Sequence, residues 1–553
     1  MINSNDKNTN IINNINSLES LYYSLKTTLG PYGSDKLIVD QRGTGDYIVT
    51  NDGATILEHL EIKHPIPRLL IELSKAQDRT IGDGTTSVVL LTCSLLRNCL
   101  KYLSDSSIHP ITIVDGFQLS LDQCLKEIEK IQLPIITTTK QQRDDLDHKY
   151  NNTEFIEKLY QIASTSLSSK ILGKYLKHFI KLGVESIIRL KDNKNLDLVR
   201  VIAVNGPTML DSELLDGVLM EIPSGWNKSQ ILDRLLQRQQ QQQQKEGEGE
   251  GEGEGGVGGS RVLVGKLQLQ NIKDVSVVVN RFKELLLTND ISVVFSDSGY
   301  LPPPIESMMQ DNGIFHFNVQ DDRDLSTIAL NLGCKLVNSL YSINSQVVSG
   351  LKKITTVVIG DNTTTTNKLF MQIQNATNEI SLPTIIIRSP TDTISQECIR
   401  SFRDMLSILS SSINNPFIIG GGGCIYLYLM NQLKNWLNEQ VDMNQKIKLS
   451  IQIFIDSLES IPFILIQNAG YDNIELISKL KDLHRLDDGI NKWKGINLDN
   501  GEIVDMVNQL KVVEPSCLLV NILTLATRAS QMILRINNMV INEPRERFKP
   551  PSV

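Results

Sequence analysis

Apolar residues recur every three to four positions over much of the first quarter of the chain. This spacing places them on one face of a helix, so it predicts helices at residues 68–73, 87–103 and 113–131. Similar spacing continues at residues 151–172 and 179–188. The chain is therefore predicted to be largely helical from residue 18 to about residue 145, and a second unit is predicted to begin soon after.

The middle of the chain has a different pattern. Short runs rich in β-branched residues occur at 292–295 and 355–359, and a helical pattern covers residues 278–287. This mixture is typical of a smaller α/β domain. The run at 384–388 is interpreted as the return of the chain to the second unit, and Gly206 is interpreted as a hinge. The predicted fold class is α+β with several domains.

Two segments have compositions that do not favour a packed core. A run of glutamines at 239–244 is followed by a Gly-Glu repeat that ends at Gly255. Such a segment cannot bury enough apolar surface to offset its chain entropy, so residues 237–260 are predicted to be a disordered insert. We favour a tolerated loop expansion over a binding tail. The Asn-rich residues 1–17 are predicted to be a disordered tail.

Composition excludes several classes of function. The 553 residues are 41% hydrophobic with a net charge of −8, and no basic stripe of the kind that binds nucleic acid is present. The seven cysteines include no Cys-x-x-Cys pair, which is typical of reduced, buried thiols. The apolar run at 87–96 is too short to span a bilayer. We expect a cytoplasmic protein without membrane insertion.

Two short acid-glycine turns carry most of the functional information. In Gly82-Asp83-Gly84-Thr85-Thr86 the glycines let backbone N–H groups approach an anion, and a helix that begins there favours phosphate. Asp83 would supply a carboxylate oxygen for Mg²⁺. In the turn at residues 51–55, Asp52 is a second carboxylate beside Gly53, so one acid could hold metal and the other could orient water.

Either acid-glycine turn alone is more typical of an ordinary turn with a helix N-cap. A third turn, Gly30-Pro31-Tyr32-Gly33, precedes both. Three such turns in this order favour a nucleotide-phosphate and metal site.

The order and spacing of these motifs resemble the ATP-binding segment of the group II chaperonins. The resemblance begins with Leu29-Gly-Pro-Tyr-Gly, Thr50-Asn-Asp-Gly-Ala-Thr and Gly82-Asp-Gly-Thr-Thr-Ser-Val. It resumes downstream at residues 164–170, 403–406, 420–423, 467–470, 513–515, 525–527 and 533–536. Nearly the whole chain is covered, and the match is weakest in the middle.

The resemblance implies a fold of three domains that is threaded out and back. A mainly helical equatorial ATP-binding domain would comprise residues 18–145 and 417–553. A small intermediate domain would comprise 146–206 and 384–416, and an α/β apical domain would comprise 207–383. Between Gly265 and the helical pattern at 278–287 there is little room for the helical protrusion that closes chaperonins of this group. The lid is therefore expected to be shortened or absent.

The resemblance also assigns roles to site residues, with ATP and Mg²⁺ as the cofactors. Asp83 corresponds to the metal ligand, and Asp52 and Asp404 correspond to the catalytic carboxylates that position or activate water. Asp404 would reach the phosphates when the intermediate domain moves down, so that hydrolysis would be coupled to closure. The remaining positions would contact ATP: Gly30, Pro31, Gly33, Gly53, Gly82, Gly84, Thr85, Thr86, Lys170, Gly421, Gly422 and Glu514.

Two of these assignments have an equally good structural interpretation. Lys170 resembles a lysine that meets the γ-phosphate, but it could also be a solvated surface lysine. Glu514 would bind the ribose hydroxyls, but it could also be an acid at the start of a helix before Pro515.

Several positions depart from the family pattern, among them Tyr426, Gln467, Asn497 and Arg528. With the short apical arm, these departures are similar to the McKusick-Kaufman/Bardet-Biedl chaperonin-like branch, while other segments resemble the delta subunit of the cytosolic chaperonin. The first hypothesis is an ATP-binding factor that assists folding and assembly of complexes such as the BBSome. The alternative is an ATP-hydrolysing ring subunit that folds clients such as actin and tubulin.

Both hypotheses imply the same kinds of partner, namely other chaperonin or chaperonin-like subunits and unfolded or assembling client proteins. Whether the chain is an ATPase is left open by the sequence. The first hypothesis would add a centrosome or basal-body location to the cytoplasmic one.

Overall fold

The computed structural model describes residues 8–39, 47–60, 62, 64–105, 107–135, 152–190, 195–206, 208–221, 261–267, 275–289, 291–297, 301–319, 322–339, 342–343, 349–359, 368–375, 383–485 and 491–538. They divide into two compact units. Unit 1 takes its residues from Met1–Asp145, Asn151–Leu176 and Arg403–Val553, and unit 2 from Leu146–Tyr150 and Lys177–Phe402. The three predicted domain ranges are not tested by this division and stay a prediction.

Helices dominate unit 1 and alternate with strands in unit 2. In chain order, the α-helices of the described residues are α1 Thr9–Asn16, α2 Glu19–Lys26, α3 Gly53–His59, α4 Pro65–Thr80, α5 Thr85–Ser104, α6 Pro110–Ile131, α7 Thr153–Ser168, α8 Leu176–Leu190, α9 Val275–Thr288, α10 Pro303–Asp311, α11 Asp322–Asn331, α12 Asp392–Asn414, α13 Cys424–Glu439, α14 Gln445–Leu458, α15 Ser460–Asn468, α16 Asn473–Arg485 and α17 Ser516–Arg535.

The strands of the described residues form sheets of two or three strands in unit 1 and sheets of six and three strands in unit 2. In chain order they are β1 Lys36–Val39, β2 Tyr47–Thr50, β3 Leu133–Pro134, β4 Arg200–Asn205, β5 Glu213–Asp216, β6 Val218–Glu221, β7 Arg261–Gly265, β8 Ile291–Ser296, β9 Phe315–Asn318, β10 Ser349–Ile359, β11 Lys368–Asn375, β12 Pro383–Ser389, β13 Phe417–Gly420, β14 Lys494–Ile496, β15 Ile503–Asp505 and β16 Val513–Pro515.

Helix α5 is the centre of unit 1. Residues 88–91 are apolar and all 0% exposed, so every face of the helix is buried there. A helix that is buried on all sides must be enclosed by others, and α1, α2, α4, α14, α15 and α17 pack against α5. Burying each such Val or Leu contributes about 1.5–3 kcal/mol. This burial fixes the position of the N-terminus of α5, where the acid-glycine turn lies.

The prediction of a disordered tail over residues 1–17 is wrong from Thr9 onwards, where α1 forms. Ile11 and Ile15 are one helical turn apart and both are buried. The Asn14 side chain donates a hydrogen bond to the Ile536 carbonyl at 3.2 Å, near the end of α17. Tertiary packing of this apolar face outweighs the low helix propensity of asparagine. Residues 1–7 lie outside the described residues.

Two segments of unit 1 are long and apolar enough to cross a membrane, Gln445–Asn468 and Ser516–Arg535. Their most apolar windows are 67% and 56% buried inside the protein. Core helices pass the same test of length and composition, so these segments are weak indications of a membrane span.

Unit 2 contains the predicted α/β region. A six-stranded sheet has the order β6-β11-β10-β7-β8-β9, with β7, β8 and β9 parallel. Its core includes a stacked pair, Phe295 and Phe317, with ring centroids 5.3 Å apart. A second sheet has the order β4-β12-β5. The predicted strands at 292–295 and 355–359 and the predicted helix at 278–287 are confirmed, and the run at 384–388 also forms a strand, β12.

The predicted insert, residues 237–260, lies outside the described residues. So does most of the segment between Gly265 and residue 278, where the lid is expected to be shortened or absent. Gly206 continues the β4-β12 pairing, because its N–H donates to the Ser389 carbonyl at 3.1 Å. Its role as a hinge stays a prediction.

Candidate functional site

The N-terminus of α5 is open to an anion. Gly84 is the N-cap residue with a φ of 74°, and no side chain caps the first turn. The Gly84 N–H donates to the Asp83 carboxylate at 2.7 Å, which fixes that side chain next to the helix start. The N–H groups of a first helical turn have no partner within the helix and carry the positive end of its dipole. The arrangement suits a phosphate group.

Asp52 lies beside this helix start and is bound on several sides. It is the N-cap of α3, accepting from the Thr55 N–H at 2.9 Å and the Thr55 hydroxyl at 2.7 Å. The Thr85 hydroxyl, in the first turn of α5, donates to it at 3.1 Å. Burial alone would raise the pKa of Asp52, but these hydrogen bonds and the charge of Lys170 lower it. Asp52 is thus both the N-cap that the sequence allowed and an ionised neighbour of the anion site.

Lys170 and Asp404 form an ion pair in the same place, although 234 residues separate them. Their side chains are only 10% and 13% exposed, so Lys170 is not a solvated surface lysine. Burial would lower the pKa of Lys170, but the carboxylates of Asp404, Asp83 and Asp52 outweigh it and raise that pKa. Burial raises the pKa of Asp404 to about 7, against the opposing charge of Lys170.

These residues line a small pocket of about 70 Å³, which we call the acidic pocket. It is contained in unit 1. Its lining combines three carboxylates, one ammonium group and glycine backbone: Thr28, Leu29, Gly30, Asn51, Asp52, Gly82, Asp83, Gly84, Thr85, Thr86, Ser87, Ser169, Lys170 and Asp404.

A second space of about 400 Å³, which we call the large cavity, adjoins the acidic pocket. The two share Leu29, Gly30, Asp83, Gly84, Ser87 and Ser169. Its volume lies in the range of small-molecule sites. It is contributed by short pieces of chain that are distant in sequence: residues 29–31, 83–87, 162–169, 422–426, 496–499 and 506–514, together with several single positions. Most of its walls are apolar side chains and glycine backbone.

Glu514 contributes a carboxylate to the large cavity. It lies in β16, opposite Ile419 of β13, and directly before Pro515, the N-cap of α17, so it both precedes a helix start and lines the cavity. The Gly422 N–H donates to it at 3.3 Å. Burial and the nearby charge of Asp83 raise the pKa of Glu514 to about 7.

Three of the predicted glycines support the site without lining either space. Gly33 closes the first turn by donating to the Gly30 carbonyl at 2.9 Å. Gly53 and Gly421 are points of close approach, since a Cβ atom would lie 2.5 Å from the Thr86 hydroxyl or 2.8 Å from a Glu514 carboxylate oxygen, respectively. The other predicted site residues line one space or both. Their roles in binding or catalysis stay predictions.

Two amide side chains that hold the site together were not predicted as site residues. Asn51 donates to the Ser169 carbonyl and so ties the Asp52 turn to the Lys170 segment. Gln77 is fully buried, donates to the Asp83 carbonyl at 2.7 Å, and accepts from Asn521 at 2.7 Å. The signal for Gln77 is a polar residue on the apolar face of α4, which needs buried partners.

The residues present fit a magnesium ion that arrives with phosphate. Among the described residues, no group of three or more His, Cys, Asp or Glu side chains could hold a metal ion by itself. Mg²⁺ is commonly bound by one or two carboxylates, phosphate oxygens and water. Asp83, fixed beside the open start of α5, fits such a partial ligand set.

Comparisons with known proteins cover almost the whole chain. The family model described as "TCP-1/cpn60 chaperonin family" matches residues 21–241 and 266–544. T-complex protein 1 subunit beta of Saccharomyces cerevisiae is 29% identical over 524 residues, which are 94% of this chain and 93% of that protein. Thermosome subunit beta of Aeropyrum pernix is 27% identical over 536 residues, which are 95% of this chain and 90% of that protein.

Proposed function

Because the chain belongs to the TCP-1/cpn60 chaperonin family, we propose that it is an ATP-hydrolysing subunit of a chaperonin ring that assists the folding of other proteins. The observation that carries this proposal is the acidic pocket, in which Asp52, Asp83, Lys170 and Asp404 surround the open N-terminus of α5. The relatives are named as subunits of T-complex protein 1 and of the thermosome. Those names support a ring subunit with other chaperonin subunits and client proteins as partners, in the cytoplasm.

The two spaces would bind different parts of ATP. The first turn of α5, with Thr85 and Thr86, would hold phosphate oxygens, and Asp83 would bind Mg²⁺, which neutralises phosphate charge. The nucleoside would occupy the large cavity, between the turn at Gly30 and the segment at Gly422, with Glu514 accepting from the ribose hydroxyls. Both spaces meet at Asp83 and Gly84, so one ligand can extend through both.

The two remaining carboxylates would handle the attacking water. Asp52 has a lowered pKa and accepts hydrogen bonds from four donors, which suits it to orient water. Asp404 has a pKa of about 7, which suits it to accept a proton at neutral pH. Lys170 neutralises Asp404 in the structure, and phosphate oxygens would compete for the same ammonium group. Entry of ATP would therefore release Asp404 to act as the base.

The assembly-factor hypothesis of the McKusick-Kaufman/Bardet-Biedl branch is not confirmed by these relatives, and the ring-subunit alternative is better supported. A nucleotide-binding chain that has kept the site and lost the cycle would still belong to the same family. Location at a centrosome or basal body, and actin and tubulin as clients, remain specific versions of the two hypotheses.

The deciding experiment measures ATP turnover by the purified chain and by Asp404→Asn, with Asp392→Asn as a matched control. Asp392 is exposed and lies on the same helix, α12. We expect Asp404→Asn to lower turnover at least about 100-fold, the range for loss of a general base, while Asp392→Asn keeps it. Size-exclusion light scattering on the same samples should detect ring-sized particles. ATP binding by a monomer, with turnover independent of Asp404, would favour the assembly factor instead.

A further inference from the structure

Tyr426 is a buried phenol in the wall of the large cavity. It lies in the first turn of α13, directly after the glycine segment 420–423, and is 4% exposed. Among the described residues, no hydrogen-bond partner of its hydroxyl is found; the one charged group that acts on it is Glu514. Because Tyr426 lines the cavity, its hydroxyl is available to a ligand that enters there.

The protonation state of Tyr426 makes it a hydrogen-bond donor. Burial, and then the charge of Glu514, raise the pKa of the phenol, so it stays protonated at neutral pH. Glu514 offers the complementary function, because it receives one long hydrogen bond from the Gly422 N–H at 3.3 Å and has other acceptor positions left. A donor and an acceptor thus face the same cavity without bonding to each other.

A ligand hydroxyl satisfies both groups at once. It can accept from the phenol of Tyr426 and donate to the carboxylate of Glu514, which neither an ammonium group nor a carbonyl can do. A second buried hydroxyl supports a polar ligand here: Ser166 is 5% exposed, lines the same cavity, and has no hydrogen-bond partner among the described residues. Of the parts of a nucleotide, only the ribose carries alcohol hydroxyls.

Resting on the proposed nucleotide function, we propose that Tyr426 is a ribose-specificity residue, which donates a hydrogen bond to a sugar hydroxyl held by Glu514 and makes the site discriminate ATP from its deoxy analogues. A site that hydrogen-bonds a hydroxyl rejects an analogue without it, because the buried polar groups are left unpaired. The role differs from simple core filling, in which the ring of Tyr426 would matter and its oxygen would not.

The test compares the binding of ATP, 2′-deoxy-ATP and 3′-deoxy-ATP, measured by calorimetry on the intact chain with Mg²⁺. We expect at least one deoxy analogue to bind about tenfold or more weakly than ATP, which corresponds to one or two hydrogen bonds. In Tyr426→Phe, which keeps the ring, this ratio should fall to about threefold or less. Tyr428→Phe is the matched control, since it removes a phenol from the same helix at a position outside the cavity lining.

The outcomes separate this inference from the function on which it rests. If no nucleotide binds, the proposed function itself fails. If ATP and both deoxy analogues bind equally well to the wild-type chain, the ribose inference is overturned while ATP binding stands. If the wild-type chain discriminates and Tyr426→Phe discriminates equally, Tyr426 only fills the core. Thermal unfolding of each variant confirms that the compared proteins are folded.

Discussion

The acidic pocket and the large cavity meet at Asp83 and Gly84, yet they are built on different principles. Charged side chains dominate the acidic pocket, and each is held by named partners, as in the pair of Lys170 with Asp404. Apolar side chains and glycine backbone from distant segments dominate the large cavity. Since a buried charge is stable only when it is paired, the acidic pocket depends on a few exact contacts. The large cavity depends on how whole helices pack.

The largest expected loss of stability comes from removing the positive charge of the acidic pocket. Lys170→Ala leaves Asp404, Asp52 and Asp83 together without a positive charge, and removing one partner of a buried pair destabilises by about 3–5 kcal/mol. Protonation of Asp404 would reduce that loss at low pH. We expect ATP affinity to fall and urea unfolding to shift to lower concentrations. Lys174→Ala, at an exposed lysine four residues on, should change neither quantity.

The double variant Lys170→Ala/Asp404→Asn sharpens this test. It removes both charges of the pair, so it should recover part of the stability that Lys170→Ala loses. A double variant as unstable as the sum of the two single variants would show that the two side chains do not interact.

A smaller loss of stability is expected when a side chain is added at a glycine of the acidic pocket. Gly82 has a φ of 80°, and a Cβ atom there would lie 2.3 Å from the Cβ of Ser407. Gly82→Ala combines a strained conformation, about 1–2 kcal/mol, with overpacking of about 1–3 kcal/mol. Gly470→Ala isolates the first effect, because Gly470 has a φ of 83° and nothing within 4 Å of the added atom. Equal unfolding free energies for both variants would contradict the proposed clash.

The smallest expected effect is a pH dependence of stability caused by Glu514, a carboxylate of the large cavity. The pKa of Glu514 is about 7 in the folded chain, against an ordinary value of 4.5. The folded state therefore binds more protons than the unfolded state between these values, and stability falls as pH rises from about 4.5 to 7. We expect a loss of about 1–3 kcal/mol over this interval, since Glu514 is only partly buried.

Glu514→Gln should reduce this slope, measured as unfolding free energy in urea from pH 4.5 to 8, and leave the part that Asp404 contributes, because the pKa of Asp404 is also raised to about 7. Glu129→Gln, at an exposed position of α6, is the control and should keep the wild-type slope. A wild-type slope in Glu514→Gln would place the titrating group elsewhere.

The sequence predicted the acidic pocket far better than the large cavity. Asp52, Asp83 and the glycines around them form short motifs whose chemistry is local. Lys170 and Asp404 were found through the family resemblance, because no spacing rule joins residues so far apart. Ser166 and Gln77 lay in segments that resemble the family but were given no role, and Tyr426 was noticed only as a departure from the family pattern. An apolar or hydroxyl residue in a cavity wall has the same sequence signal as one in the core.

Secondary structure, too, was predicted well in some regions and missed in others. Strong periodicity predicted α5, α6 and strand β8, where packing agrees with local preference. The helix α1 was missed because asparagine dominates its composition, while two isoleucines one turn apart decide its structure. Local composition thus failed where contacts with residues more than 500 positions away supply the stabilisation.

The docking of α1 near the end of α17 also bears on how this protein is made. Translation adds about 5–20 residues per second, so more than twenty seconds separate the synthesis of α1 from that of α17. During this interval α5 lacks one of the helices that cover it, and its apolar surface is without that shield. Unit 1 therefore reaches its native packing only after α17 has left the ribosome. Until then the nascent chain, although it belongs to a chaperonin family, itself needs protection from aggregation.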